Sequence, residues 1–158
     1  LAKLCAVSRT ARTAMIGSRG PGATSGVQAV LGAIERLGVH HRRALESGVT
    51  CLVSIAEDPN GAATIQALGG TETVASAIAL ASAKRAKPDE KVLCLYFSLI
   101  KRCAMCSKDA RAGLVAAGTA ARFTRTAIMD ASLRDATHGK ALRCAERLCG
   151  NVGDAAGR

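Results

Sequence analysis

The feature that most constrains this chain is an internal repeat. Residues 26–34 (Gly-Val-Gln-Ala-Val-Leu-Gly-Ala-Ile) return at residues 70–78 (Gly-Thr-Glu-Thr-Val-Ala-Ser-Ala-Ile), 44 positions later. Val30 falls on Val74, Ala33 on Ala77 and Ile34 on Ile78. A weaker third copy starts near Gly118, 48 positions further on, with Phe123, Ala127 and Ile128 in comparable places. Periods of about 40–47 residues belong to helical units that cannot bury their own apolar face and fold by stacking on neighbours.

The composition suits helices. Apolar residues make up 49% of the chain, enough for a sizeable core, but aromatic residues only 2%. That core must therefore come from Ala, Leu, Val, Ile and Cys. Ala, Leu and Arg are good helix formers, and the aromatic residues that favour strands are nearly absent. In the middle unit the spacing predicts three helices. Asp58 can cap free backbone N–H groups and Pro59 fits the first helical position. Ala62, Ile65 and Leu68 then share a face, and Gly69-Gly70 ends the helix. Thr71 can cap a second helix, whose Val74, Ala77, Ile78 and Ala81 follow helical spacing. After a polar break over residues 84–87, Pro88-Asp89-Glu90 marks a third start. This long helix carries Val92, Leu95, Tyr96, Leu99, Cys103 and Cys106 as its stripe.

The flanking units follow the same plan. In the first, residues 8–16 read as the short helix and 17–26 as a Gly/Pro-rich loop. Val27, Val30, Leu31 and Ile34 mark its second helix, and Leu45, Val49, Leu52 and Ala56 its third. In the last, Ser107 caps a short helix through Ala117, and residues 123–131 form the second. Ser132-Leu133-Arg134-Asp135 resembles a capping box, and Leu142, Ala145, Leu148 and Cys149 stripe the final helix. The units divide as 8–57, 58–106 and 107–150. Residues 1–7 read as the tail of a preceding third helix and 151–158 as the start of another unit, Asn151 standing where Asn60 does. The chain begins on Leu1, so the gene product is expected to start upstream. Neither end reads as a polar capping unit, so the array is expected to continue or to be covered by neighbours.

Short, medium and long helices in each unit, with a Gly pair between the first two, resemble the armadillo repeat. The stretch most similar to that pattern is residues 65–74, Ile-Gln-Ala-Leu-Gly-Gly-Thr-Glu-Thr-Val. The resemblance covers most of the chain and is clearest in the middle unit. It implies an all-α, right-handed α-solenoid of armadillo-type (HEAT-like) three-helix repeats, with third helices lining a concave partner-binding surface. It also implies a scaffold or structural subunit of the kind found in ciliary, cytoskeletal and adhesion assemblies. Family members that import nuclear cargo grip basic peptides with a repeated Trp and Asn on the third helices. This chain has no Trp, its only Asn residues, Asn60 and Asn151, fall in connections, and its charge has the wrong sign.

Charge carries the functional content. The net charge is +10, which favours an acidic protein segment, nucleic acid or an anionic membrane surface. The third helices and their approaches carry Arg42 and Arg43, then Lys87, Lys91, Lys101 and Arg102, then Lys140, Arg143 and Arg147. Stacked units would align these rows into a basic strip that attracts an acidic segment. Solvation of long stems is the other reading of the same residues. The leading expectation is a protein-binding scaffold within a large complex, with an acidic partner. The alternative is an RNA-contacting subunit of a large ribonucleoprotein, for example an organellar one. Residues 1–34 contain no acid but include Lys3, Arg9, Arg12 and Arg19, which supports that alternative and is also how a transit peptide reads. The only aromatics, Tyr96, Phe97 and Phe123, read as core rather than as stacking platforms.

Catalysis, cofactors and metals are not expected. Cys103-Ala-Met-Cys106 has a CxxC spacing but no second ligand pair, and lies on an apolar helical face. Seven Cys, mostly inside apolar runs, point to free thiols in a reducing, intracellular setting. Cytoplasm, cytoskeleton or cilium is the favoured location, with an organelle as the other. His40-His41-Arg42-Arg43 reads as a solvated helix start or a partner-facing cluster, since adjacent histidines diverge on a helix. Residues 19–26 are Gly-rich but lack the Gly-Lys-Ser/Thr ending of a phosphate loop. No Ser/His/Asp, Cys/His or paired-carboxylate arrangement stands out. An enzyme built on the Cys-rich helices would need an exposed thiol of low pKa. No run approaches the ~20 apolar residues of a membrane span.

Overall fold

The computed structural model describes residues 8–17, 25–85, 89–130 and 133–149. Among these residues there are nine α-helices, one π-helical turn and no strand. They fall into three successive sets. The first holds α1 (Arg9–Ile16), α2 (Gly26–Ala33) with its π-helical extension Ile34–Gly38, and α3 (Arg42–Ile55). The second holds α4 (Pro59–Ala67), α5 (Gly70–Arg85) and α6 (Glu90–Cys106). The third holds α7 (Lys108–Ala117), α8 (Thr119–Met129) and α9 (Asp135–Cys149).

Local chemistry sets most of these starts. A helix start leaves backbone N–H groups without partners, and short polar side chains accept from them. Ser8 Oγ accepts from Ala11 at 3.2 Å, Ser25 Oγ from Gln28 at 3.1 Å and Ser107 Oγ from Ala110 at 2.9 Å. Asp58 Oδ1 accepts from Asn60 at 2.8 Å and Asp89 Oδ1 from Lys91 at 3.1 Å. Gly69 and Gly118 have φ of +63° and +70°. Only glycine takes that conformation without strain, so each turns a first helix directly into a second one.

That abrupt turn explains two departures from the sequence reading. Thr71 does not cap α5, because the helix already starts at Gly70 and Thr73 N–H bonds the Gly69 carbonyl at 3.0 Å. The Thr71 hydroxyl instead donates to Glu72 Oε2 at 2.9 Å. Likewise α8 runs over Thr119–Met129, not residues 123–131. Three stripe residues are also corrected: Leu68 and Leu142 are exposed, at 39% and 50%, and Cys149 is exposed at the end of α9. Leu68 lies past the end of α4, and Leu142 lies on a side of α9 that no described helix covers. Ser132, Lys87, and residues 1–7 and 151–158 lie outside the described residues.

Helices stack by type. α3 packs on α6 and α6 on α9; α2 with its π turn packs on α5 and α5 on α8; α1 packs on α4. Gln66 Nε2 of α4 donates across one repeat length to the Ala110 carbonyl of α7 at 2.8 Å. One continuous core runs from Val27 to Leu148, with Val49, Leu52, Ile65, Val74, Tyr96, Leu99, Cys103 and Ala141 fully enclosed. Close approach fixes some glycines. A Cβ on Gly61 would collide with the Ile55 carbonyl oxygen, whereas one on Gly113, in α7, meets nothing within 4 Å. Tyr96 is wholly buried, edge-on to Phe123 with centroids 5.5 Å apart. Its hydroxyl has no hydrogen-bond partner among the described residues.

Two stability predictions follow from this packing. Gly61→Ala is expected to destabilise by roughly 1–3 kcal/mol through the collision, and Gly113→Ala to stabilise by roughly 0.5–1 kcal/mol through helix propensity. Urea titrations of the two variants check this, and equal effects would refute the close approach at Gly61. Tyr96→Phe is expected to be neutral or to stabilise by about 1 kcal/mol, because the hydroxyl it removes is buried and unpaired. A clear loss of stability on thermal melting would mean that the hydroxyl has a partner.

Candidate partner-binding face

The third helices form one column, α3–α6–α9, and the outer edges of its two seams follow the repeat. At the α3–α6 seam there are three cross-links. Arg42 pairs with Asp89, Glu46 Oε1 meets Lys91 Nζ at 2.5 Å, and Glu57 Oε1 meets Arg102 Nη1 at 2.9 Å. The buried positions along α3 and at its end, Leu45, Val49, Leu52 and Ala56, reappear 48 residues later in α6 as Leu93, Phe97, Ile100 and Ala104. Those facing the other way in α6, Val92, Tyr96, Leu99 and Cys103, reappear 45 residues later in α9 as Thr137, Ala141, Cys144 and Leu148. Carrying the three cross-links forward by these offsets predicts Glu90 with Arg134, Cys94 with Ala136, and Met105 with Arg147.

The first is present, and at the second Cys94 meets Thr137 rather than Ala136. Arg134 Nε donates to Glu90 Oε2 at 3.1 Å, so this link keeps its ion pair with the signs exchanged. Thr137 Oγ1 donates to the same oxygen at 2.8 Å and lies 3.7 Å from Cys94 Sγ. At the third position the carboxylate is missing. Met105 stands where Glu57 stands one unit earlier, and it is 59% exposed. Arg147, the counterpart of Arg102, is exposed and forms no ion pair among the described residues.

The basic residues singled out in the sequence thus divide into two groups. Arg42, Lys91 and Arg102 are held by carboxylates of the adjacent unit. Arg43, Lys140, Arg143 and Arg147 are exposed, and Lys101 is half-buried. Lys140, Arg143 and Arg147 fall at i, i+3 and i+7 on α9, one stripe of a helix. The carboxylates Glu46, Glu57, Asp89 and Glu90 were not singled out in the sequence. Their signal was there: Glu46 to Lys91, Glu57 to Arg102 and Glu90 to Arg134 are opposite charges one repeat apart. Exposed pairs of this kind contribute about 0–1 kcal/mol each, so they tune register more than they hold the fold.

Burial pushes the Cys103 thiol up to about 12, with Cys106 and Glu72 adding to it. Burial likewise raises Cys144 to about 11, partly opposed by the hydrogen bond from Thr124. Both are therefore protonated packing groups near neutral pH. Cys149 is exposed, and Cys106 Sγ donates to the Pro59 carbonyl at 3.1 Å. Among the described residues no group of three or more His, Cys, Asp or Glu is arranged to hold a metal ion. No described helix is long and apolar enough to cross a membrane. Tyr96 and Phe97 are buried, and Phe123 packs against the core. Comparison with protein-family models, with curated proteins and with solved structures returns no match to this chain.

Glu90 gives the seam a pH dependence. Hydrogen bonds from Thr137 and then Arg134 hold its carboxyl below the ordinary glutamate value. A depressed pKa stabilises the fold fully above the ordinary range, about 4.3, and that contribution is lost as pH falls through the folded value. Thr137→Val removes the larger cause. It is expected to move the Glu90 titration upward and the acid-unfolding midpoint to higher pH, read by carbon-detected NMR and circular dichroism. Unchanged titration would show that Thr137 does not hold this carboxylate.

Proposed function

We propose that this chain is a stretch of a right-handed armadillo-type α-solenoid, its units spanning 8–57, 58–106 and 107–150. Its role is that of a non-enzymatic scaffold or structural subunit whose third-helix face takes an acidic protein segment. The observation that carries the reading is the third-helix column, stacked at repeat spacing and bearing cations that the fold leaves unneutralised on α9. A side-by-side column of parallel units offers a long, preformed surface, and cations on it speed capture of an acidic partner. The ciliary or cytoskeletal setting rests on the family resemblance alone.

The same cations suit phosphate contacts to RNA. Against base recognition stands the burial of Tyr96 and Phe97 and the packing of Phe123 against the core. Capture from native lysate at low and high salt, with and without nuclease, separates the two classes. Acidic proteins that survive nuclease and are lost at high salt are the expected outcome. Recovery only of ribonucleoprotein components that vanish with nuclease would overturn the scaffold reading.

A further inference from the structure

One flank of α9 is apolar and exposed at positions that are buried in both earlier third helices. Leu142, Ala145 and Cys149 fall at i, i+3 and i+7, one stripe of the helix. Their counterparts 45 residues earlier in α6 are Phe97, Ile100 and Ala104, and 48 residues before those, Val49, Leu52 and Ala56. All six counterparts are buried. In α9, Leu142 and Cys149 are exposed and Ala145 is half-buried. The buried stripe of α9 lies on another side, where Thr137 meets Cys94 of α6 and Cys144 meets Thr124 of α8. The first helices show the same change. Counting from the caps Asp58 and Ser107, Val115 of α7 stands where Gln66 stands in α4. Gln66 reaches the following first helix at Ala110, whereas Val115 is exposed.

The two seams show what such a flank receives. Each opens on a link of opposite charges, Arg42 with Asp89 and Glu90 with Arg134. The receiving helix then carries its buried stripe at fixed distances from that link. Val92, Tyr96, Leu99 and Cys103 follow Asp89 at the same spacing as Thr137, Ala141, Cys144 and Leu148 follow Arg134. On the giving side, position 42 is followed by 90 and, 45 residues later, by Asp135. Asp135 is exposed and forms no ion pair among the described residues. An acid at this position requires a cation opposite.

We propose that this flank docks one amphipathic helix of a partner protein, laid along α9 as α9 lies along α6. That helix begins with a Lys or Arg, which meets Asp135. Its aliphatic residues follow at the spacing of residues 137, 141, 144 and 148 after residue 134 and cover Leu142, Ala145 and Cys149. Lys140, Arg143 and Arg147 stand on a different stripe of α9, so the proposal needs the seam register and not the acidic-partner reading.

The probe is a fluorescein-labelled helical peptide of Ala and Gln with the leading Arg and Leu at those four positions. It is titrated into the whole chain at physiological salt and read by anisotropy, beside a counterpart with Glu in place of Arg. The chain carries a net charge of +10, so unspecific attraction favours the Glu peptide. Tighter binding of the Arg peptide, by about threefold, is therefore the expected mark of Asp135. Asp135→Lys is expected to reverse the preference. Leu142→Glu is expected to weaken both peptides by about tenfold or more with an unchanged melting temperature. Equal binding of the two peptides by the unaltered chain, or a preference for Glu, overturns the proposal, as does binding indifferent to Leu142→Glu or no binding at all. Self-association of the chain alone in sedimentation, abolished by Leu142→Glu, would assign the flank to a second copy and overturn the partner helix. None of these outcomes bears on the acidic-partner reading, which the salt and nuclease comparison tests separately.

Discussion

Everything in this chain depends on lateral burial between helices of the same type. A third helix such as α6 is apolar over nearly half its circumference: Val92, Tyr96, Leu99 and Cys103 on one flank, Leu93, Phe97, Ile100 and Ala104 on the other. No single partner helix covers both. α3 takes one flank and α9 the other, so the fold of the middle unit exists only with its neighbours in place. At α9 the same flank bears the exposed Leu142. With few aromatic side chains available, burial is spread over many small and medium residues, and close backbone approach, as at Gly61 and Gly70, takes the place of bulk.

Charge is layered on that framework in two roles. At the α3–α6 seam Arg42, Lys91 and Arg102 each have a carboxylate from the adjacent unit, about one repeat away. At the α6–α9 seam the plan changes: an ion pair with signs exchanged, and a hydroxyl beside a thiol in place of a second pair. A net charge of +10 is therefore not spread evenly over a binding strip. Part of it is consumed in register, and Lys140, Arg143 and Arg147 stand exposed along one stripe of α9.

Much of this was legible in the residues. The recurrence of residues 26–34 at 70–78 set the period, and Ser8, Asp58-Pro59, Asp89 and Ser107 marked helix starts that the structure uses as caps. The misplaced helix starts share one cause: Thr71 reads as a cap and α8 as starting at Phe123, but a glycine with positive φ lets the next helix begin at once. Leu68 and Leu142 follow an apolar spacing, yet spacing cannot tell whether a neighbour is present to cover it.

The sequence by itself determined the all-helical character, the three-part units and the positions of most helix starts, because propensity, capping and periodicity act over a few residues. Which cations are matched and which are open was decided only by the tertiary structure. Glu57 and Arg102 are 45 residues apart and have no local reason to meet; stacking α3 on α6 brings them within 2.9 Å. Arg147 holds the position of Arg102 one repeat later, yet it is exposed and forms no ion pair among the described residues. That difference acquires meaning once the helices are side by side and a position in one seam can be compared with the same position in the next.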